Sequence, residues 1–330
     1  MAGRVTIKSI ARDLGVSHMT VSRALSGSDK VRPDTRDAIV EHAARLGYVR
    51  SAAASAIRGG RSGIVGLLLP TLANEFYSRY ADSLARRVNS QNRQVIIHLT
   101  TDEPSLEYQA IQKLREVQAE AVVMVPVPDP LPGTPDGLAS MQIIQLIRTR
   151  TEADAVAVAG IDDADAIHQA VVHLAERGHT RIGFIGGSTE LSSGYNRYHA
   201  YREGMQSRGL PVSSEFVRTS SPSFAQGASH ALDLAKRNAS ALICAGFEIS
   251  NGALNALLKQ GVTLGEDIAF IGYGDPSAYR WIQGGVSTIR IPVLPLAAAT
   301  AELLNQTDSK ENPPVTEQRH LTAELIIRSS

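Results

Sequence analysis

The sequence has few of the features that mark secreted or membrane-spanning proteins. Its 330 residues include one cysteine, Cys244, which excludes an intramolecular disulfide and suits a reducing compartment. No apolar run approaches the ~18 residues that a membrane-spanning helix needs, and the N-terminus has no apolar stretch like that of a signal peptide. The chain also has no net charge, with 33 Lys+Arg against 33 Asp+Glu. The first three absences predict a cytoplasmic protein. The absence of net charge, taken over the whole chain, argues against binding to nucleic acid.

Enzyme motifs are missing as well. The sequence contains no Gly-x-Gly-x-x-Gly, no Gly-x-Ser-x-Gly and no His-Glu-x-x-His, and none of its six lysines follows a glycine as in a phosphate-binding loop. The nine histidines are scattered, and the spacing of His168 and His173 is poor for a metal site on one helix face. We therefore expect no catalytic residue, no metal and no cofactor.

What the sequence does contain is a soluble globular composition with an uneven charge distribution. Hydrophobic residues make up 43% and charged residues 20%, and the length allows two or three domains. Residues 1–62, called the head below, hold eleven basic and five acidic residues, which is a net charge of +6. Residues 63–330, called the body, therefore carry −6. A basic head on an acidic body restores nucleic acid as a candidate partner.

Three short helices are predicted within the head. Thr6 and Ser17 are suited to cap the first two helices, and Gly15 between them permits a tight turn. A third helix begins near Pro33 and ends at Gly47. The apolar residues at helical spacing that predict the buried faces are Ile7, Ile10, Ala11, Leu14, Val21, Leu25, Ile39, Val40, Ala43 and Leu46. This pattern is typical of a helix-turn-helix DNA-binding unit, although a plain three-helix bundle gives a similar one.

Sequence detail favours DNA binding. The ordered segments that carry it are Val5–Ala11, Gly15–Ser17, Thr20–Leu25, Thr35-Arg36 and Leu46–Tyr48. They resemble the DNA-binding head of the LacI/GalR (lactose-repressor) family of bacterial transcription regulators. The resemblance implies that the second helix enters the major groove, where His18, Met19 and Arg23 meet base edges. It also implies phosphate-contacting or capping roles, which set register without reading sequence, for Thr6, Ser17, Thr20 and Ser22.

A candidate hinge connects the head to the body. Residues 52–57 are rich in alanine but too short to form a stable helix alone, and the glycines that follow suit a flexible linker. The family resemblance implies that this hinge folds on operator DNA, pairs with its copy in a dimer and wedges Ile57 into the minor groove. Ile57 replaces the usual Leu of the family, and Ser51 replaces a frequent Asn.

Short apolar runs alternate with amphipathic segments throughout the body. The predicted strands are 64–69, 94–99, 121–126, 155–159, 181–186, 241–245 and 267–273. Strands separated by helices predict parallel sheets with helices on both faces, and the body is too long for one such sheet. The fold class expected is therefore a small all-α head and an α/β body of two doubly wound lobes.

The resemblance to the LacI/GalR family continues through the body. The segments that carry it are Arg61–Gly66, Asn74–Tyr77, Gly178–Gly183 and Gly265–Tyr273. It implies an effector-binding core similar to periplasmic sugar-binding proteins, with three crossovers between the lobes. The expected domains are 1–49 for the helix-turn-helix unit, 50–62 for the hinge and 63–330 for the core, with lobe 1 at 63–161 and 291–318 and lobe 2 at 162–290 and 319–330. A proline-rich loop, 126–137, is either a connector or part of the cleft mouth.

The effector-binding residues are carried over from the family position by position. They are Asn74, Phe76, Asp162, Arg197, Phe247, Asp275 and Trp281. Aromatic faces can stack on a sugar and an arginine can hold its oxygens, although Trp281 also suits ordinary packing. Gly246-Phe247 and Gly274 stand where relatives have polar residues, which leaves Glu248 and Asp275 as candidate replacements.

The function expected is that of a sequence-specific DNA-binding transcriptional regulator, most simply a repressor. A homodimer would bind a pseudo-palindromic operator, and a sugar-like effector in the cleft would control operator affinity. The first alternative is a cytoplasmic small-molecule-binding protein without a specific operator, such as a sugar-binding protein. The second is an enzyme on a doubly wound fold, which the missing motifs disfavour.

Overall fold

A computed structural model describes residues 5–48, 62–138, 141–150, 157–306 and 317–330. The chain divides into two compact units, residues 1–62 and 63–330. The predicted hinge roles of Ser51 and Ile57 lie outside the described residues. Within the described ranges, no helix is long and apolar enough to cross a membrane.

The head contains α1 (Ile7–Asp13), α2 (His18–Leu25) and α3 (Pro33–Arg45). Thr6 caps α1 by accepting from the backbone N–H of Ser9, whose side chain accepts from the N–H of Thr6 in return. Gly15, with φ of +65°, makes the turn before α2, where an L side chain would be strained. The prediction that Val40 and Leu46 lie on the buried face of the third helix is wrong, because their side chains are 46% and 37% exposed. The buried head residues are Ile10, Ala11, Val21, Ala24, Val31, Ile39 and Ala43.

The described part of the body contains twelve strands and eight helices. The strands are β1 (Ile64–Leu69), β2 (Gln94–Leu99), β3 (Ala121–Met124), β4 (Gln142–Leu146), β5 (Ala157–Asp162), β6 (Ile182–Gly187), β7 (Val217–Ser220), β8 (Ala241–Ala245), β9 (Ala269–Tyr273), β10 (Ser287–Arg290), β11 (Gln318–Thr322) and β12 (Glu324–Ile326). The helices are α4 (Glu75–Asn89), α5 (Pro104–Glu116), α6 (Thr134–Leu138), α7 (Ala164–Glu176), α8 (Ser192–Ser207), α9 (Phe224–Lys236), α10 (Phe247–Lys259) and α11 (Val293–Gln306).

Two six-stranded sheets form the cores of two lobes. The first has the order β11-β5-β4-β3-β1-β2 and is parallel throughout, and the second has the order β12-β10-β9-β8-β6-β7 with only β12 antiparallel. This confirms the expected pair of doubly wound lobes. On β8, Cys244 is buried, and burial raises the pKa of its thiol.

The chain passes between the lobes three times, as the resemblance implies. It leaves the first lobe after β5, returns between β10 and α11, and leaves again after β11. Because β11 continues to Thr322 in the first sheet, the last crossover lies at Ala323, four residues later than expected. Asp162 likewise belongs to β5, so the second lobe begins at Asp163 rather than one residue earlier.

Two glycines allow α9 and α10 to pack backbone against backbone. A Cβ at Gly227 on α9 would lie 2.1 Å from the carbonyl oxygen of Ile249 on α10. A Cβ at Gly252 on α10 would lie 1.9 Å from the carbonyl oxygen of Phe224 on α9. These distances are too short for any side chain, so the two glycines fix the position of α10 and of its N-terminus, where the cleft residues Phe247 and Glu248 lie.

Candidate functional site

The exposed face of α2 carries the residues expected to read DNA. Val21 and Ala24 face the core of the head, whereas His18, Met19 and Arg23 are exposed. Met19 is 53% exposed, so its apolar side chain is accessible on the same face. The described part of the head offers Arg23 no ion-pair partner, so its guanidinium is free to donate to a base edge.

The hydroxyl residues near α2 make local hydrogen bonds. The Oγ of Ser17 accepts from the backbone N–H of Thr20 at 3.0 Å and shares a 2.8 Å hydrogen bond with the Thr20 hydroxyl. Together with the cap at Thr6, these bonds support the capping role among the alternatives for these residues. Ser22 is half-buried on the same helix.

A cavity of about 110 Å³ lies between the two lobes of the body. It is at the carboxyl ends of the strands, where Pro70 follows β1, Ile147 follows β4, and Gly187, Ala245 and Tyr273 end β6, β8 and β9. Open α/β sheets bind their ligands at this edge. Four predicted effector residues line the cavity together: Asn74, Phe76, Arg197 and Phe247.

Arg197 is held by three partners in the second lobe. Its Nε donates to Asp163 at 2.6 Å, one terminal nitrogen donates to the Tyr273 hydroxyl at 2.6 Å, and the other donates to the Ala245 carbonyl at 3.2 Å. Burial disfavours its charge, but the charge and the hydrogen bond of the Asp163 carboxylate outweigh burial and raise the pKa of Arg197. The guanidinium is therefore charged and fixed in place at the cleft wall.

A second arginine lines the first-lobe side of the cavity. Arg148 binds Asp102 through both terminal nitrogens, at 2.7 and 3.3 Å, and donates to the carbonyl of Pro126. Tyr77 lies on the first turn of α4, and burial raises the pKa of its hydroxyl. The charges of Arg148 and Asp102 are close enough to affect this pKa as well. Tyr77, Asp102 and Arg148 were not predicted from the sequence as cleft residues.

Glu248 also faces the cavity, from the first turn of α10. Burial raises the pKa of its carboxyl group, and the polar Asn74 side chain partly offsets this. Of the two residues proposed to replace missing polar groups, Glu248 lines the cleft and Asp275 does not.

Three predicted effector residues lie elsewhere, which corrects their assignment. Asp162, the last residue of β5, is exposed, and its neighbour Asp163, at the start of α7, takes the place beside Arg197. Asp275 is buried in ion pairs with Arg290 at 3.1 Å and Arg328 at 2.7 Å, where it anchors the end of the chain. Trp281 does not line the cavity either, and it is 72% exposed.

Local signals could have located some of the missed residues. Asp102 follows the predicted strand β2, and Tyr273 ends the predicted strand β9. Arg148 follows β4, which was not predicted as a strand, so its place at the sheet edge was not apparent.

A second cavity, of about 510 Å³, adjoins the first at Arg148 and Leu191. One wall is Pro126–Pro128, at the start of the proline-rich loop, and the opposite wall includes the N-terminal part of α8. This placement supports the cleft-mouth interpretation for that part of the loop.

Two family models match this chain. Residues 6–51 match the bacterial regulatory proteins of the lacI family, and residues 171–330 match a periplasmic binding protein-like domain. The HTH-type transcriptional regulator GalS of Salmonella typhimurium is 26% identical over 304 residues, which cover 92% of this chain and 89% of GalS.

Solved structures show the same fold along the whole chain. The lac repressor dimer bound to operator and the anti-inducer ONPF aligns with a TM-score of 0.81 at 19% identity and covers 99% of both chains. The complex of the transcriptional regulator CelR with cellobiose aligns with a TM-score of 0.72 at 23% identity, covering 99% of this chain and 100% of the other. The head thus matches the model of the lacI family of bacterial regulatory proteins, the body matches a periplasmic binding protein-like domain, and the chain is similar to regulators of this kind over nearly its whole length.

Proposed function

We propose that this protein is a DNA-binding transcriptional repressor whose operator affinity is controlled by a small molecule bound between the lobes of the body. The observation that carries the proposal is the presence of two distinct sites in one chain. The head exposes a recognition helix with His18, Met19 and Arg23, and the body encloses a cavity lined by both lobes. This combination favours a ligand-controlled regulator over an enzyme.

DNA recognition is assigned to the head. Its net charge of +6 supplies the electrostatic attraction to phosphates, and the exposed face of α2 supplies the contacts to bases. The lac repressor with which the chain aligns is a dimer bound to its operator, which supports a homodimer and a pseudo-palindromic site here. Binding to chromosomal DNA would place the protein in the cytoplasm.

The edge strand β2 is a candidate part of the dimer face. It ends the first sheet, so one side of its backbone has no strand partner among the described residues. Ile97 and Leu99 on this strand are 39% and 47% exposed. A second copy of the chain would cover both the open edge and these apolar side chains.

The effector is proposed to be sugar-like. Phe76 and Phe247 provide apolar surface, while Asn74 and Arg197 provide hydrogen-bonding groups, which is the combination that sugar rings need. The CelR structure is a complex with cellobiose, which supports a sugar as the effector class. Effector binding acts on DNA affinity only to the extent that it favours one arrangement of the lobes over another.

The test is binding to the DNA upstream of the protein's own gene at several salt concentrations, with and without a panel of sugars. A specific complex with a steep negative salt slope and a ligand response is expected.

In the variant Arg23→Lys, the charge remains but the two-pronged donor is lost. Its affinity for the specific site should fall roughly tenfold to hundredfold, while its non-specific affinity and salt slope should not change.

Two outcomes would contradict different parts of the proposal. Undiminished site preference in Arg23→Lys would exclude Arg23 from base reading. Only non-specific, ligand-insensitive binding by the unaltered protein would contradict the regulator function and favour a small-molecule-binding protein without an operator.

A further inference from the structure

The charges around the cavity are unevenly compensated. Arg148 is neutralised by Asp102, and Arg197 is neutralised by Asp163, in both cases with a shortest N–O distance below 3 Å. Three of the five N–H groups of Arg197 already donate to partners in the chain, and two remain for the hydroxyl groups of a neutral ligand. Because each arginine is already paired with a carboxylate, neither is an uncompensated cation for an anionic ligand.

Glu248 is the one remaining charged side chain in the described cavity wall. No Arg, Lys or His among the described residues forms an ion pair with it, and the Asn74 side chain, which also lines the cavity, is the polar group that favours its charged form. The N-terminus of α10 lies beside it, with Gly246 offering no side-chain cap, but a helix end supplies only a partial positive charge. The positive charges of Arg148 and Arg197 are matched by those of Asp102 and Asp163, so the carboxylate of Glu248 leaves the cleft with one negative charge.

We propose that Glu248 determines the charge of the effector: the cleft accepts polyhydroxy ligands that are uncharged or carry an amine, and it rejects sugar acids and sugar phosphates. This inference rests on the proposed function, because it concerns the same effector site. Ligand hydroxyls or an ammonium group donate to the Glu248 carboxylate. A ligand carboxylate or phosphate in so small a cavity would be repelled by it and would find no uncompensated cation.

The experiment measures the charge preference of the cleft directly. Calorimetric titrations of the full chain use series of ligands that share one ring and differ in charge: glucose, glucosamine, glucuronate and glucose 6-phosphate, and the galactose counterparts. In a series that binds, the neutral and amine members should bind roughly tenfold to hundredfold more tightly than the acid and the phosphate.

The variant Glu248→Gln tests the residue itself. The amide retains a hydrogen-bond acceptor but loses the charge, so the gap between neutral and acidic ligands should shrink to about threefold or less. Binding of the neutral member should stay within about fivefold of the unaltered protein. Glu203→Gln, an exposed carboxylate on α8 outside both cavity walls, is the matched control and should keep the full gap.

Three results would overturn the inference. These are binding of an acid or phosphate as tight as that of its neutral parent, an undiminished gap in Glu248→Gln, and the absence of binding by every neutral and amine member. Binding to the upstream DNA is measured on the same samples. A specific, salt-dependent complex with DNA would show that the regulator function stands even when the charge preference fails.

Discussion

Asp162, which ends β5, and Asp163, which follows it, have opposite environments. Asp162 is exposed and contributes only its backbone carbonyl, which accepts from Ala323. Asp163 is buried, pairs with Arg197 at 2.6 Å and accepts from the Tyr273 hydroxyl at 2.5 Å. One step along the chain therefore separates a solvent-facing carboxylate from the one that fixes the cleft arginine.

Replacing Asp163 with Ala should destabilise the body by about 3–5 kcal/mol, because it leaves the Arg197 charge buried without its counterion. The neighbouring Asp162→Ala is the matched control and should change stability by no more than about 0.5 kcal/mol. Urea unfolding followed by circular dichroism measures both. Equal effects of the two substitutions would show that the pairing with Arg197 contributes little.

The contacts of single residues could be predicted from the sequence where both partners lie within a few positions of each other. They could not be predicted where the partners are far apart in the sequence. The Thr6 cap and the Gly15 turn depend on neighbours within a few positions, and both form as expected. The pair Arg148–Asp102 joins loops that follow β4 and β2, which are separated in the sheet by two strands. No pattern within either segment shows that the two side chains meet.

The elements of the body differ in how clearly the sequence shows them. The strands β1, β2 and β8 lie within the predicted bounds because they are apolar runs between helical segments. Four other predicted strands were placed correctly but with ends shifted by one to three residues: β3, β5, β6 and β9. Five of the described strands were not predicted: β4, β7, β10, β11 and β12. Of these, β7, β11 and β12 lie at sheet edges and are partly exposed, so none of them is the buried apolar run that marks a central strand.

Among the helices, the contact of α9 with α10 provides a test at the level of elements. Gly252→Ala would place a methyl group on the backbone of α9, which cannot move aside as a flexible side chain can. The expected loss of stability is about 1–3 kcal/mol, with weaker effector binding because Phe247 and Glu248 move with α10.

The matched control for this substitution is Ser229→Ala, at an exposed position on α9. It should leave both stability and effector affinity nearly unchanged. Thermal unfolding and calorimetry measure the two properties. A Gly252→Ala protein as stable as the control would mean that the two helices can separate freely.

Over the whole molecule, the zero net charge divides into a basic head and an acidic body.

Within the body, hydrogen bonds join the two lobes at two places beside the cavity. The backbone N–H of Thr149 donates to the Ser192 hydroxyl at 2.9 Å, and Ser277 donates to Glu75 through its N–H at 3.2 Å and its hydroxyl at 3.4 Å. Glu75 follows the cavity residue Asn74, so these bonds hold the lobes together around the ligand site.

Removing both connections should make closure of the lobes less favourable. In the double variant Glu75→Ala/Ser192→Ala, effector affinity should fall by about two- to tenfold for each connection lost, because a smaller fraction of the protein is in the closed arrangement. The ligand concentration needed for the DNA response should rise by the same factor, whereas the maximal response should not change.

Ser207→Ala, at the other end of α8, keeps the connections and should behave as the unaltered protein. Small-angle X-ray scattering and calorimetry measure closure and affinity together. Tighter effector binding in the double variant would show instead that the ligand favours separated lobes.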